Sequence, residues 1–146
     1  MKPIFYIFLF LTVSLSAQER GREKIKALKT AMITNQLDLT SQEAEKFWPI
    51  YNAYDQKMDA VRKKERTEIF HKLRSGIDNL SDQEADVLIS KSMELKSQEL
   101  TYRKALIKEL REVISSKKII KLTKAEEDFK RKLLEEFRKR KRKQLP

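Results

Sequence analysis

The stretch Leu39–Tyr51, LTSQEAEKFWPIY, decides how this chain is read. Thr40 followed three residues later by Glu43 is a capping box: the hydroxyl accepts from the N3 amide, and the glutamate reaches back to the N-cap amide. A helix therefore starts at Ser41, with Leu39 placed at N′ for a hydrophobic staple. Pro49 then falls where the helix interior should be, beside the only tryptophan, Trp48. It cannot donate to the carbonyl of Glu45, and its ring crowds that turn, at a cost of about 3 kcal/mol in a regular helix. Either the helix bends so that Phe47, Trp48 and Tyr51 wrap around the preceding helix, or the bend presents Trp48, Tyr51 and Tyr54 as a docking surface. Large aromatics mostly pack in cores, which favours the first.

The same signal recurs. Leu80-Ser81-Asp82-Gln83-Glu84 follows 41 residues on, and Leu122-Thr123-Lys124-Ala125-Glu126 after 42 more. Each is a leucine, a Ser/Thr cap and a glutamate three beyond it, so each is expected to open a helix. Near-equal spacing points to a serial helical architecture.

Four helices are expected. The first covers about Arg22 to Gln36, with Ile25, Leu28, Met32 and Ile33 on one face. The second runs from Ser41 to about Arg74 on a stripe of Phe47, Tyr51, Tyr54, Met58 and Val61, ending where Gly76 can take a left-handed C′ position. The third runs from Asp82 to about Ile114. Met93, Leu100, Ile107 and Ile114 recur there every seven residues, flanked by Ile89, Leu106, Leu110 and Val113, which is coiled-coil-like. Ser115-Ser116 loosens the chain, and the fourth covers Lys124 to about Lys143, with Phe129, Leu133, Leu134 and Phe137 on its apolar face. Short turns between long helices imply antiparallel neighbours. The expected fold is all-α: about four helices in elongated antiparallel hairpins, thin enough that dimerisation is a route to stability.

Composition agrees. Only two of 146 residues are glycine, 38% are charged, and no cysteine is available for a disulfide or a thiolate metal site. Residues 1–17, MKPIFYIFLFLTVSLSA, combine Lys2, an apolar run from Ile4 to Leu11 and small residues up to Ala17. That is the pattern of a secretory signal peptide; about 12 apolar residues fall short of the roughly 20 that span a bilayer. Residues 18–146 then form one helical domain with a basic tail at 138–143. The net charge is +11, and only Lys2 of it belongs to the leader. For an exported chain the anionic neighbours are lipid headgroups, envelope polymers and acidic or unfolded proteins, and nucleic acid is not expected.

Three segments carry a family resemblance: KIKALKTAMITNQLDLTSQEAEKFWPIYNAYDQK (24–57), LSDQEADVLI (80–89) and KIIKLTKAEEDFKRKLLEEFR (118–138). Together they resemble the exported sensors of extracytoplasmic-function sigma factors in Bacteroidetes-type bacteria, considered with the wider LTxxQ group of the periplasmic chaperone Spy and the CpxP-type stress regulators. The fifth motif position is Glu43, Glu84 and Glu126 here, where that group has glutamine; the capping box is kept. The resemblance implies a Spy-like helical fold, a periplasmic location and a role in a sigma-factor stress pathway through a protein partner, either a sigma/anti-sigma component or an unfolded client. A Spy-like, ATP-independent chaperone and a heavy-metal-responsive sensor are the alternatives it implies.

Other chemistry finds little support in the sequence. His71 is the only histidine, and Met32, Met58 and Met93 sit at apolar helical spacing, where methionine fills gaps in a core. The C-terminal acids precede bases by four residues, as in Glu126/Lys130, Glu127/Arg131, Asp128/Lys132, Glu135/Lys139 and Glu136/Arg140, which suits a self-paired solvated surface. No nucleophile–base motif or phosphate loop is present, so a non-enzymatic protein without a cofactor is expected. Arg138, Lys139, Arg140, Lys141, Arg142 and Lys143 complement a helix C-terminus, but six consecutive bases exceed that need. They mark a candidate surface for an acidic partner or an anionic membrane.

Overall fold

The computed structural model describes residues 4–143, with side chains from Arg20 to Arg142. The leader's first three residues and its side chains up to Ala17 lie outside the described residues. The elements are α1 (Ile4–Leu37), α2 (Ser41–Lys64), a π-helical turn (Glu65–Phe70), α3 (His71–Arg74), a 3₁₀ turn (Ile77–Asn79), α4 (Asp82–Leu110) and α5 (Ser116–Lys143). The fold is all-α, about 90% helical, with no strand among the described residues. No helix among them is long and apolar enough to cross a membrane. The chain packs as two units, Met1–Leu39 with Ile120–Pro146, and Thr40–Ile119.

The first two capping boxes form. Thr40 Oγ1 accepts from Glu43 N at 3.2 Å, while Glu43 Oε2 accepts from Thr40 N at 2.9 Å. Ser81 and Glu84 repeat this at 3.2 and 3.0 Å. The third motif does not open a helix. α5 has already begun at Ser116, so Thr123 and Glu126 lie inside it, and Leu122 is a buried core residue. Ser115 does the capping instead: its Oγ accepts from Lys118 N at 3.3 Å and its carbonyl from Ile119 N at 3.1 Å. Likewise α4 stops at Leu110, before a turn through Ile114.

α2 runs through Pro49 without interruption and buries Phe47, Tyr51 and Val61. The helical path then reaches Arg74 as expected, but by way of the π turn. Its cause lies in the sequence. At about 100° per residue, a regular helix would carry Ile69 some 80° and Leu73 some 120° away from Val61, turning Glu65, Glu68 and Lys72 inward instead. One extra residue in the turn rotates Ile69 and Leu73 back by about 100°. Val61, Ile69 and Leu95 accordingly form one buried cluster, with Leu73 and Tyr102 packed against it. Gly76 follows with φ of 113°, a conformation that disfavours a Cβ.

α2 and α4 are antiparallel. Lys57 lies over the Tyr102 ring and Arg103 over the Tyr54 ring, while Lys96 pairs with Glu65 and Lys91 with Glu68. Moving along α4 toward its end thus means moving back along α2. The buried face of α4 is Leu88, Leu95, Leu106 and Leu110. The heptad expectation for this helix is therefore only partly met: Ile114 is buried, but Ile89, Met93 and Leu100 are exposed. Met93 is not a core filler, and Met32 and Met58 are half-buried.

In the other unit, Ile33 and Leu37 of α1 and Leu122, Ala125 and Phe129 of α5 are buried. Gln36 Nε2 donates to Asp128 Oδ2 at 3.4 Å between those helices. α1 ends in a Schellman pattern, with Asp38 N donating to Asn35 O and Leu39 N to Thr34 O. Asp38 occupies the left-handed C′ position at φ 49°.

Candidate binding surfaces

The aromatics around Pro49 form a ladder along α2. Phe47 meets Trp48 edge-on at 5.0 Å and stacks with Tyr51 at 5.5 Å; Tyr51 meets Tyr54 at 6.0 Å. Tyr51 is only 1% exposed, so it is a core residue and is withdrawn from the expected docking surface. Trp48 and Tyr54 are half-buried. Arg103 caps the ladder: its guanidinium lies 5.7 Å from the Tyr54 ring centre, and Nη1 donates to the Tyr54 hydroxyl at 3.5 Å. The proline thus sits within a packed aromatic run, not an open aromatic face.

The distal half of α5 is different. Leu134 and Phe137, expected on the helix's apolar face, are 48% and 51% exposed, with Leu133 half-buried beside them. Glu127, Lys130, Arg131, Leu134, Glu135 and Arg138 line a shallow depression there. Along a helix at about 100° per residue, Lys130, Leu134, Phe137 and Lys141 fall on one face, with Arg138 and Arg140 at its margins. Arg138 to Arg142 are all exposed; Lys143 ends the helix, and its side chain lies outside the described residues.

The ion pairs differ from those expected by spacing. Asp128, expected to meet Lys132, binds Lys124 at 2.6 Å and Arg131 at 2.8 Å; Glu136, expected to meet Arg140, binds Lys139 at 3.2 Å. On an exposed helix these choices differ by only a few tenths of a kcal/mol, so spacing alone does not select among them. Lys124 foremost, with Gln36 and Arg131, holds the Asp128 carboxyl below its ordinary range. Among the described residues no carboxylate pairs with Arg138, Arg140, Lys141 or Arg142, which leaves the last turns of α5 with uncompensated positive charge.

Among the described residues, no group of three His, Cys, Asp or Glu side chains is placed to hold a metal ion. His71 is exposed. Set against protein-family models, characterised proteins and solved structures, the chain matches none.

Proposed function

We propose that this chain is an exported, non-enzymatic helical regulator of the extracytoplasmic sigma-factor sensor kind, acting in envelope stress by holding a protein segment on the distal half of α5. The observation that carries the binding part is the coincidence of exposed Leu134 and Phe137 with the unpaired bases Arg138, Arg140, Lys141 and Arg142. Long-range attraction brings an acidic or partly unfolded segment in, and apolar contact retains it. The pathway assignment rests on the resemblance carried by the three motif segments.

Stopped-flow association with a labelled, acidic, unfolded polypeptide tests the binding part. Replacing Arg138 to Lys143 with glutamine, or raising salt from about 50 to 500 mM, is expected to slow association strongly. Serine at Leu134 and Phe137 is expected to shorten the bound lifetime instead. An on-rate indifferent to both salt and the glutamine tail overturns electrostatic capture. Deleting the gene in the producing bacterium and measuring sigma-dependent transcripts tests the pathway part; unchanged transcripts under envelope stress overturn it. The same surface also suits an ATP-independent chaperone, and suppression of client aggregation at near-stoichiometric ratios would favour that reading.

A further inference from the structure

The exposed face of distal α5 is not the face that the helix buries: Leu134 lies roughly 180° around it from buried Ala125 and 140° from buried Phe129. Glu127, Lys130, Leu134, Phe137 and Lys141 fall within about 80° of one another there, at successive spacings of three, four, three and four. That is the seam one helix presents to another. Leu134 and Phe137 are 48% and 51% exposed. Glu127, Lys130 and Lys141 are exposed and have no ion-pair partner among the described residues.

An extended segment suits this seam poorly. Side chains on one face of a strand recur about every 7 Å. Leu134 and Phe137 are only about 4.5 Å apart along the helix axis. A strand also gains its affinity from backbone hydrogen bonds, and the interior of a helix has already paired its own amides and carbonyls. A helical segment satisfies its own backbone and repeats the same rise, so its side chains stay in register from Glu127 to Lys141, about 21 Å.

The charges set its composition and direction. From Lys141 back to Glu127 the seam reads base, apolar, apolar, base, acid. Its complement is acid, apolar, apolar, acid, base. Run antiparallel to α5, such a helix begins on its acid and ends on its base, the order that its own macrodipole favours. Run parallel, it would begin on the base and end on the acid, against that dipole. A second copy of α5 turned end for end sets Lys141 on Lys130 and is repelled. An anionic bilayer would meet Glu127 on the seam and Glu135 beside it.

Taking the protein-binding role of this surface as given, we propose that the segment it holds is an amphipathic helix antiparallel to α5, with acid, apolar, apolar, acid and base at positions 1, 5, 8, 12 and 15 of the contact. The segment arrives unfolded, is drawn in by the bases, and becomes helical on the seam.

Fluorescence anisotropy with the full chain and labelled 15-residue peptides tests this. The matched peptide has an alanine and glutamine background, glutamate at its first and twelfth positions, leucine at the fifth and eighth, and lysine at the last. A second peptide exchanges the glutamates with the leucines, keeping composition and net charge. A third carries proline at the seventh position. The matched peptide is expected to bind at least about tenfold more tightly than either, and to gain helical circular dichroism on mixing. Lys130→Glu with Lys141→Glu is expected to reverse the preference, toward a peptide with lysine at the first and twelfth positions. If that variant loses helicity, Leu134→Ser with Phe137→Ser replaces it and should weaken the matched peptide about tenfold. Capture of an acidic unfolded polypeptide with all three peptides binding alike overturns the helical occupant and leaves electrostatic capture standing. No binding of any acidic polypeptide overturns both. Binding only to phosphatidylglycerol vesicles also overturns the proposal.

Discussion

Lys118 Nζ lies 2.6 Å from Glu43 Oε2, the same oxygen that accepts from the Thr40 amide. One carboxylate thus completes the capping box at the start of α2 and ties it to the first turn of α5. The Lys118 ammonium, and after it the Thr40 backbone amide, holds the Glu43 carboxyl below its ordinary value of 4.5. Glu84 is lowered too, chiefly by the Ser81 backbone amide.

A pH dependence follows. A carboxyl whose folded pKa is depressed contributes stability above its unfolded pKa and loses it as pH falls through the folded one. The contribution of Glu43 and Glu84 is therefore present at neutral pH and fades below about pH 4.5. Glutamine at N3 can still complete a capping box, so Glu43→Gln and Glu84→Gln remove charge while keeping geometry. Melting temperatures against pH are expected to show both variants below the parent at neutral pH and converging with it toward pH 3. A constant offset at all pH values would mean that the charge contributes nothing.

The caps themselves are expected to separate by position. Thr40→Ala, Ser81→Ala and Ser115→Ala should each lose about 1 kcal/mol in denaturant titrations, because each leaves an N3 amide without its acceptor. Thr123→Ala should cost clearly less than any of these, since Thr123 lies inside α5 rather than at its start, and alanine is the better former within a helix. A loss at Thr123 equal to that at Thr40 would mean that α5 starts at Lys124 after all.

That contrast shows where sequence reading stops. Thr40, Ser81 and Thr123 have the same surroundings in sequence, yet an exposed threonine three residues before a glutamate is also an ordinary helical pattern. What separates them is upstream: Asp38 and Gly76 break the chain before the first two, whereas Ser115 has already started a helix before the third. The stripe from Phe47 to Val61 was legible because α2 keeps the regular period there. Ile69 and Leu73 were not, because their spacing from Val61 fits no single period. The basic run at Arg138 was legible as composition; which acids would partner neighbouring bases was not, because exposed pairs differ by so little in energy.

Two residues at positive φ should respond in opposite ways. At Gly76 an added Cβ would sit 2.7 Å from Asn79 Nδ2, which donates to the Ser75 carbonyl at 3.3 Å. Gly76→Ala must strain the backbone and displace that amide, for an expected loss of about 1–2 kcal/mol. Asp38 already holds a left-handed C′ conformation and puts a negative charge at a helix C-terminus. Asp38→Gly is expected to gain about 0.5 kcal/mol. Chemical denaturation checks both; a gain at Gly76 would contradict the backbone geometry.

The π turn gives the sharpest test of how this sequence selects its fold. If the turn exists to return Ile69 and Leu73 to the face of Val61, removing one residue from it leaves them in place and makes the helix regular. Thr67 is the residue to remove: it is exposed, and its hydroxyl bonds only the Lys63 and Lys64 carbonyls that the widened turn leaves available. Deleting Thr67 is expected to change stability by less than about 1 kcal/mol, because Val61, Ile69, Leu95 and Leu73 stay together. Deleting Gln56, also exposed but within the regular part of α2, is the control. It rotates Val61 and everything after it by about 100° relative to Phe47 and Tyr51, and is expected to cost several kcal/mol as core side chains leave their sites. Circular dichroism melts of the two deletions distinguish the cases. Equal damage from both would mean that the π turn is held by contacts of its own, and that the spacing of Val61, Ile69 and Leu73 is not its cause.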